Sequence, residues 1–209
     1  MPTGTREEGR CIPRGFDLTS FVPRLDQGDD EVRNVVAYEL LSLDGVAEQP
    51  DEFFHDFDHA MEENLGRVIH SQSTVLLGRR TYDEWSQFWP SSDIEPFASF
   101  INGVEKFIVT STTPAQAWRN ASVVDGDPMK FVSDLKRTSG DDIGVHGSIV
   151  LTQSLLAAGL VDELRLVIAP VLQGRGRGLF DESRPTRLTL VDHTTSPKGY
   201  LLLGYRVPG

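Results

Sequence analysis

Apolar positions along the chain follow two spacings. Short β-branched or apolar runs read as strands at 34–41, 73–77, 105–110, 122–124, 143–146, 162–170, 187–194 and 200–207. Between them, Phe54, Phe57, Met61, Leu65 and Val68 recur at three and four residues, which predicts a helix over 53–70 with an acidic opposite face. A second helix opens at Thr81-Tyr-Asp-Glu84, the capping-box pattern of Thr followed three residues later by Glu. A Pro- and Ser-containing loop leads to the strand at 105–110. Asp127-Pro128 starts a third helix that ends near Gly140, and a fourth runs over 149–158 and is closed by Gly159. Ser196-Pro-Lys-Gly199 turns the last two strands into a hairpin. Strand–helix alternation followed by a hairpin predicts an α/β fold of three αβα layers. Its twisted, mostly parallel sheet has about eight strands and an antiparallel C-terminal hairpin. Residues 1–31 mix Gly, Pro and charge without a period and read as an N-terminal extension, leaving 32–209 as a single domain.

Charge narrows the partners. Twenty Lys and Arg against 31 Asp and Glu give a net charge of −11, which disfavours nucleic acid and anionic membrane, whose binding needs phosphate neutralised. Eight acids lie between Asp44 and Glu63 with no Lys or Arg among them, so an anionic ligand needs a local cationic site elsewhere. Cys11 is the single cysteine, which rules out an intramolecular disulfide and a thiolate cluster within one chain. No apolar run reaches the roughly 20 residues that span a bilayer, and the first thirty residues lack the apolar core of a signal peptide. The expectation is a soluble, cytoplasmic protein.

Two strand–glycine–helix turns carry the most chemistry. At Gly78-Arg79-Arg80-Thr81 a strand delivers free backbone N–H groups and the positive end of a helix dipole, with two guanidinium groups beside them. Phosphate is the natural ligand of that arrangement; the bland alternative is a pair of solvated turn arginines. Gly144-Val145-His146-Gly147-Ser148-Ile149 is the second turn. It is not the G-x-S-x-G elbow of serine hydrolases, because His146 and Val150 stand where glycines are required. His146 alone reads as a strand-end residue. Gly174-Arg-Gly-Arg-Gly178 lacks the spacing and following helix of a dinucleotide fingerprint and reads as a flexible basic loop. His55 and His59 at i and i+4 on the first helix lack the Glu of the zinc-hydrolase motif and a third ligand, so no metal is expected. Asp44, Asp58 and Glu62 are the acids placed to contact a substrate or relay a proton, and Asp44 can equally do no more than shape the turn before Gly45.

These segments together resemble the dihydrofolate-reductase-like superfamily, in the branch related to the reductase domain of the bifunctional riboflavin-biosynthesis deaminase-reductase. The carriers are Ser42-Leu-Asp-Gly45, Leu77-Gly-Arg-Arg-Thr-Tyr-Asp-Glu-Trp85, His146-Gly-Ser148, Gly159-Leu-Val-Asp-Glu-Leu-Arg-Leu and Ala169-Pro-Val-Leu-Gln-Gly-Arg-Gly. The resemblance implies NADPH as cofactor. Gly78, Arg79, Arg80 and Thr81 would hold the adenosine phosphates, Thr110 and Ser111 would add contacts on that side, and Gly144 to Ile149 would cover the pyrophosphate. Leu40, Asp44 and Ala47 would flank nicotinamide and substrate, with Asp44 as the catalytic candidate and Asp58, Glu62 and Trp89 toward the substrate. It implies hydride transfer to a small heterocyclic or ribosylpyrimidine acceptor, and a homodimer. Dihydrofolate reduction and a catalytically silent NADP-binding module are the alternatives. The zinc motif of the deaminase half, H-x-E with P-C-x-x-C, is absent from this sequence.

Overall fold

The computed structural model describes residues 32–114, 116–180 and 185–209; the extension at 1–31 lies outside them. Eight strands form one sheet in the order β4-β3-β2-β5-β1-β6-β8-β7. They are β1 (Val35–Ser42), β2 (Gln72–Gly78), β3 (Glu105–Val109), β4 (Ala121–Val123), β5 (Asp142–His146), β6 (Glu163–Ala169), β7 (Thr189–Thr195) and β8 (Leu201–Arg206). All pairs from β4 to β6 are parallel, and β8 runs antiparallel to both β6 and β7. The expected α/β sheet with its terminal hairpin is therefore the observed one. β1 reads as a buried run because neighbours cover it on both sides and helices on both faces, which is where near-continuous apolar sequence belongs.

Among the described residues the α-helices are α1 (His59–His70), α2 (Arg79–Phe88), α3 (Phe97–Gly103), α4 (Pro128–Leu135) and α5 (Ile149–Ala157). Met61, Leu65 and Val68 of α1, Tyr82 of α2 and Phe97 and Ile101 of α3 pack on one sheet face with Val75, Leu77 and Val167. Val132 of α4 and Leu151 and Leu155 of α5 pack on the other, with Val35, Ala37, Leu76 and Val145.

Three local expectations are corrected. The helix expected over 53–70 begins only at His59, because the Asp58 carboxylate caps it by accepting from the Met61 N–H. Phe54 and Phe57 satisfy the apolar spacing without being helical: Phe57 is exposed, and Phe54 stacks on Tyr200 at 5.2 Å between ring centroids. The capping box at Thr81 does not form, since α2 starts two residues earlier with Gly78 as its cap, and the Thr81 hydroxyl is used elsewhere. The segment read as a loop before β3 contains α3, whose end is held by the buried Lys106: its Nζ donates to the Ile101 and Val104 carbonyls, 2.8 Å each.

β5 is inserted between β1 and β2, although it comes later in the chain. The carboxyl ends of β1, β2 and β5 thus lie side by side where strand order departs from chain order, the place where open α/β sheets bind ligands.

Candidate functional site

Parallel pairing of β2 with β5 brings the two glycine turns together, one at Gly78 entering α2 and one at Gly147 entering α5. A chain of hydrogen bonds joins them. The Gly78 N–H donates to Ser148 Oγ, Ser148 Oγ–H to Thr81 Oγ1, and Thr81 Oγ1–H to the Gly147 carbonyl, each at 3.0 Å. Ser148 therefore makes no side-chain cap for α5; it couples the two helix starts. Gly147 adopts φ 59°, and a Cβ there would lie 3.1 Å from Trp85 Cζ2, so glycine is required by conformation and by the ring packed against it.

The arginines are held, not merely solvated. Arg79 donates to Asp83 at 2.6 Å, to Thr112 Oγ1 at 2.6 Å, and to the Thr112 and Thr113 carbonyls at 3.1 and 2.9 Å. Thr110 shapes that segment by accepting from the Thr112 N–H and donating to its carbonyl. Ser111 is exposed at the same bend. Arg80 pairs with Glu84 and Glu48 at 3.0 Å each, yet its side chain stays 63% exposed and keeps N–H groups open to solvent. Glu48 also accepts from the Arg177 N–H at 3.2 Å, which ties the basic loop 173–178 to the α2 start.

Asp44, in the turn after β1, holds the same loop from the other side. Its carboxylate accepts from Ser42 Oγ at 2.6 Å and from the Gln173 and Gly174 N–H groups at 3.0 and 2.8 Å. Those bonds, Ser42 foremost, lower its pKa to about 2. At neutral pH such a group carries no proton to relay; the geometry makes Asp44 an anchor that fastens the loop over the end of β1. Ala47 contributes in kind, its N–H bonding the Arg177 carbonyl at 3.0 Å. Leu40 packs partly buried at the sheet face shared with α1 to α3.

The other candidates are dispersed. The His146 side chain turns away from its own glycine turn into the core, 2% exposed, 2.8 Å from Gln72 Oε1 and ringed by Tyr38, Phe97 and Phe100. Gly144 makes room for that pair, since a Cβ there would sit 2.2 Å from Gln72 Oε1. Val145 is buried in the opposite core, and Ile149 is the first residue of α5. Asp58 caps α1 and takes a bond from Ser196, while Glu62 lies beside His59, so neither acid's contacts reach the glycine turns. Trp89 follows α2, packed edge-on against Phe97 and Trp85, with its buried Nε1 lacking a partner among the described residues. His55 precedes α1, so the two histidines do not share a helix, and no group of three possible metal ligands occurs among the described residues.

Sequence reasoning missed Glu39. It lies in β1, 2% exposed, accepting from Thr152 Oγ1 of α5 at 2.7 Å, with the Gly147 backbone N–H also favouring its charged form. An acid inside an otherwise apolar strand run is the signal that was available. Burial raises its pKa to about 7, and burial lowers that of His146 to about 3.

These two shifts oppose one another in the pH dependence of stability. The Glu39 contribution is complete below its ordinary 4.5 and is lost as pH rises to about 7, because the folded state holds the extra proton across that window. The His146 contribution is complete above its ordinary 6.5 and is lost as pH falls toward 3. Glu39→Gln removes the first alone. Urea denaturation is expected to show the variant gaining on the parent by about 1.4 kcal/mol per pH unit between those bounds. A difference independent of pH would contradict the burial assignment.

Comparison with known proteins bears on this arrangement. Residues 33–202 match the family described as the RibD C-terminal domain. The chain belongs to that family. The family is that of the RibD-type reductase, which supports an oxidoreductase. Among its relatives, the uncharacterized protein YyaP of Bacillus subtilis (strain 168) is 29% identical over 185 residues, 85% of this chain and 96% of that one. Two solved structures share the fold. A pyrimidine reductase-like protein from Corynebacterium diphtheriae has a TM-score of 0.60 at 17% identity, over 85% of this chain and 92% of that one. A diaminohydroxyphosphoribosylaminopyrimidine deaminase/5-amino-6-(5-phosphoribosylamino)uracil reductase from Thermotoga maritima has a TM-score of 0.58 at 15% identity, over 85% of this chain and 57% of that one.

Proposed function

We propose that this RibD C-terminal domain is an NADPH-dependent reductase acting on a small heterocyclic or ribosylpyrimidine substrate of the kind named for the Thermotoga relative. The observation that carries the reading is the pair of glycine turns locked together by Ser148 and Thr81, with Arg79 fixed against Thr112 at their edge. The donor set fits the cofactor's phosphates: backbone N–H groups of two helix starts for the pyrophosphate, and guanidinium and hydroxyl groups for a 2′-phosphate. Gly78 and Gly147 would let the pyrophosphate approach the backbone, the first N–H groups of α2 (Arg79 to Thr81) and those of Ser148 and Ile149 at the α5 start would hold it, and the side chains of Arg79, Arg80, Thr110, Ser111 and Thr112 would take the 2′-phosphate. The cofactor supplies a hydride donor at nicotinamide C4.

The chain's own part is binding, orientation and exclusion of water. Leu40 gives the nicotinamide side an apolar wall, and the loop anchored by Asp44 and Glu48 closes over the end of β1. The deciding assay incubates the protein with NADPH and 5-amino-6-(5-phosphoribosylamino)uracil and follows cofactor oxidation together with the reduced product. Stoichiometric ribityl product supports the reading; cofactor binding without product overturns the substrate assignment.

A further inference from the structure

Glu39 sits immediately behind the α5 helix start, where the reading above puts phosphate, and it uses part of that start itself. Its carboxylate takes the Thr152 hydroxyl in the first turns of α5 at 2.7 Å, and the Gly147 N–H at the turn favours its charged form. Among the described residues no cation compensates it. α5 from Ile149 to Ala157 has no charged residue, and Leu166 is the β6 residue level with Glu39. His146 of β5 and Tyr38 of β1 face the other sheet layer. Arg165 of β6 pairs with Glu163 and Asp192. From the loop, Arg175 pairs with Glu52, and Arg177 lies near Glu48. On α2, Arg79 and Arg80 are engaged by Asp83, Glu84 and Glu48. A buried carboxylate without a counter-charge and a bound phosphate would thus compete for one positive helix end.

We propose that Glu39 is a positioning residue that couples phosphate occupancy of the twin glycine turns to the uptake of one proton from solvent. The inference rests on the phosphate reading of those turns. When the anion arrives, the Glu39 carboxylate takes a proton on Oε1 or Oε2, and the like-charge repulsion is removed. Thr152 serves both states, because its hydroxyl donates to a carboxylate and accepts from a carboxylic acid. The free carboxyl group has a pKa of about 7, so both states are populated at neutral pH. A neighbouring anion raising that value by about one unit makes binding weaken about tenfold as pH passes through the window.

The test is isothermal titration of NADP+ into wild type, Glu39→Gln and Thr152→Val, each in two buffers of different ionisation enthalpy. Wild type is expected to take up about half a proton per NADP+ at pH 7.5. Glu39→Gln is expected to take up measurably less and to lose the tenfold fall in affinity. The 2′-phosphate's own titration cancels in that comparison. Thr152→Val, which keeps the carboxylate but removes the hydroxyl that lowers its pKa, moves the uptake maximum to higher pH. It supplies the answer if Glu39→Gln does not fold. Equal proton uptake in wild type and Glu39→Gln, or an unmoved maximum in Thr152→Val, overturns the proposal while leaving the phosphate reading intact. Failure of all three proteins to bind NADP+ overturns the phosphate reading and the proposal with it.

Discussion

Replacing Arg79 and Arg80 together by alanine is expected to weaken NADPH binding by about 100-fold while changing NADH binding only a few-fold. Hydrogen bonds to charged groups contribute about 1.5–3 kcal/mol each, and both guanidinium groups would be lost to the 2′-phosphate. NADH has no such group, and its pyrophosphate keeps the backbone donors at the two helix starts. The single variants should divide unequally. Arg79 is fixed by Asp83, Thr112 and Thr113, so it meets a ligand in one geometry, whereas Arg80 is 63% exposed and shared between Glu48 and Glu84. Arg79→Ala should therefore cost more than Arg80→Ala. Fluorescence titration with both nucleotides measures it, and equal losses for NADPH and NADH would contradict the 2′-phosphate role.

The largest expected loss of stability comes from Tyr82→Ala. Tyr82 is 2% exposed in α2, its ring faces Trp118 at 6.0 Å, and its hydroxyl donates to the Gln116 carbonyl at 2.8 Å. Truncating a buried aromatic costs about 3–5 kcal/mol through lost transfer free energy and the cavity left behind. Tyr82→Phe should cost only about 1 kcal/mol, for the hydrogen bond alone. Urea midpoints for the two variants separate these contributions. A Tyr82→Ala cost below about 1 kcal/mol would show that the α2 face closes over the gap more readily than a packed core does.

The architecture was legible where one residue pattern has one physical outcome. The buried run ending at Ser42, the strand-to-glycine turns at Gly78 and Gly147, and the hairpin turn at Ser196 each determine local structure almost unaided, and each was read correctly. Boundaries failed where a side chain served a distant partner. Phe54 has helical spacing but is spent on Tyr200, and Thr81 has a capping sequence but is spent on Gly147 and Ser148. α3 was missed because a seven-residue helix following Pro96 carries little periodic signal, and it depends on Lys106 from the next strand to hold its end.

The candidate site divides the same way. Glycines and arginines at the turns announced themselves by local chemistry, whereas Asp44 looked like a reactive acid because its partners, Gln173 and Gly174, lie 129 and 130 residues away. Glu39 stood out only as an acid in an apolar strand run; what defines it is Thr152 and the Gly147 turn, brought beside it only when β5 inserts next to β1.

The account stands most directly on one measurement, the dissociation constants of the full-length wild-type protein for NADPH and NADH determined side by side at pH 7. The arrangement of Arg79, Arg80 and Thr112 around the two locked glycine turns predicts saturable binding of both with NADPH the tighter, by at least tenfold. Binding of neither nucleotide, or a preference for NADH, would contradict it.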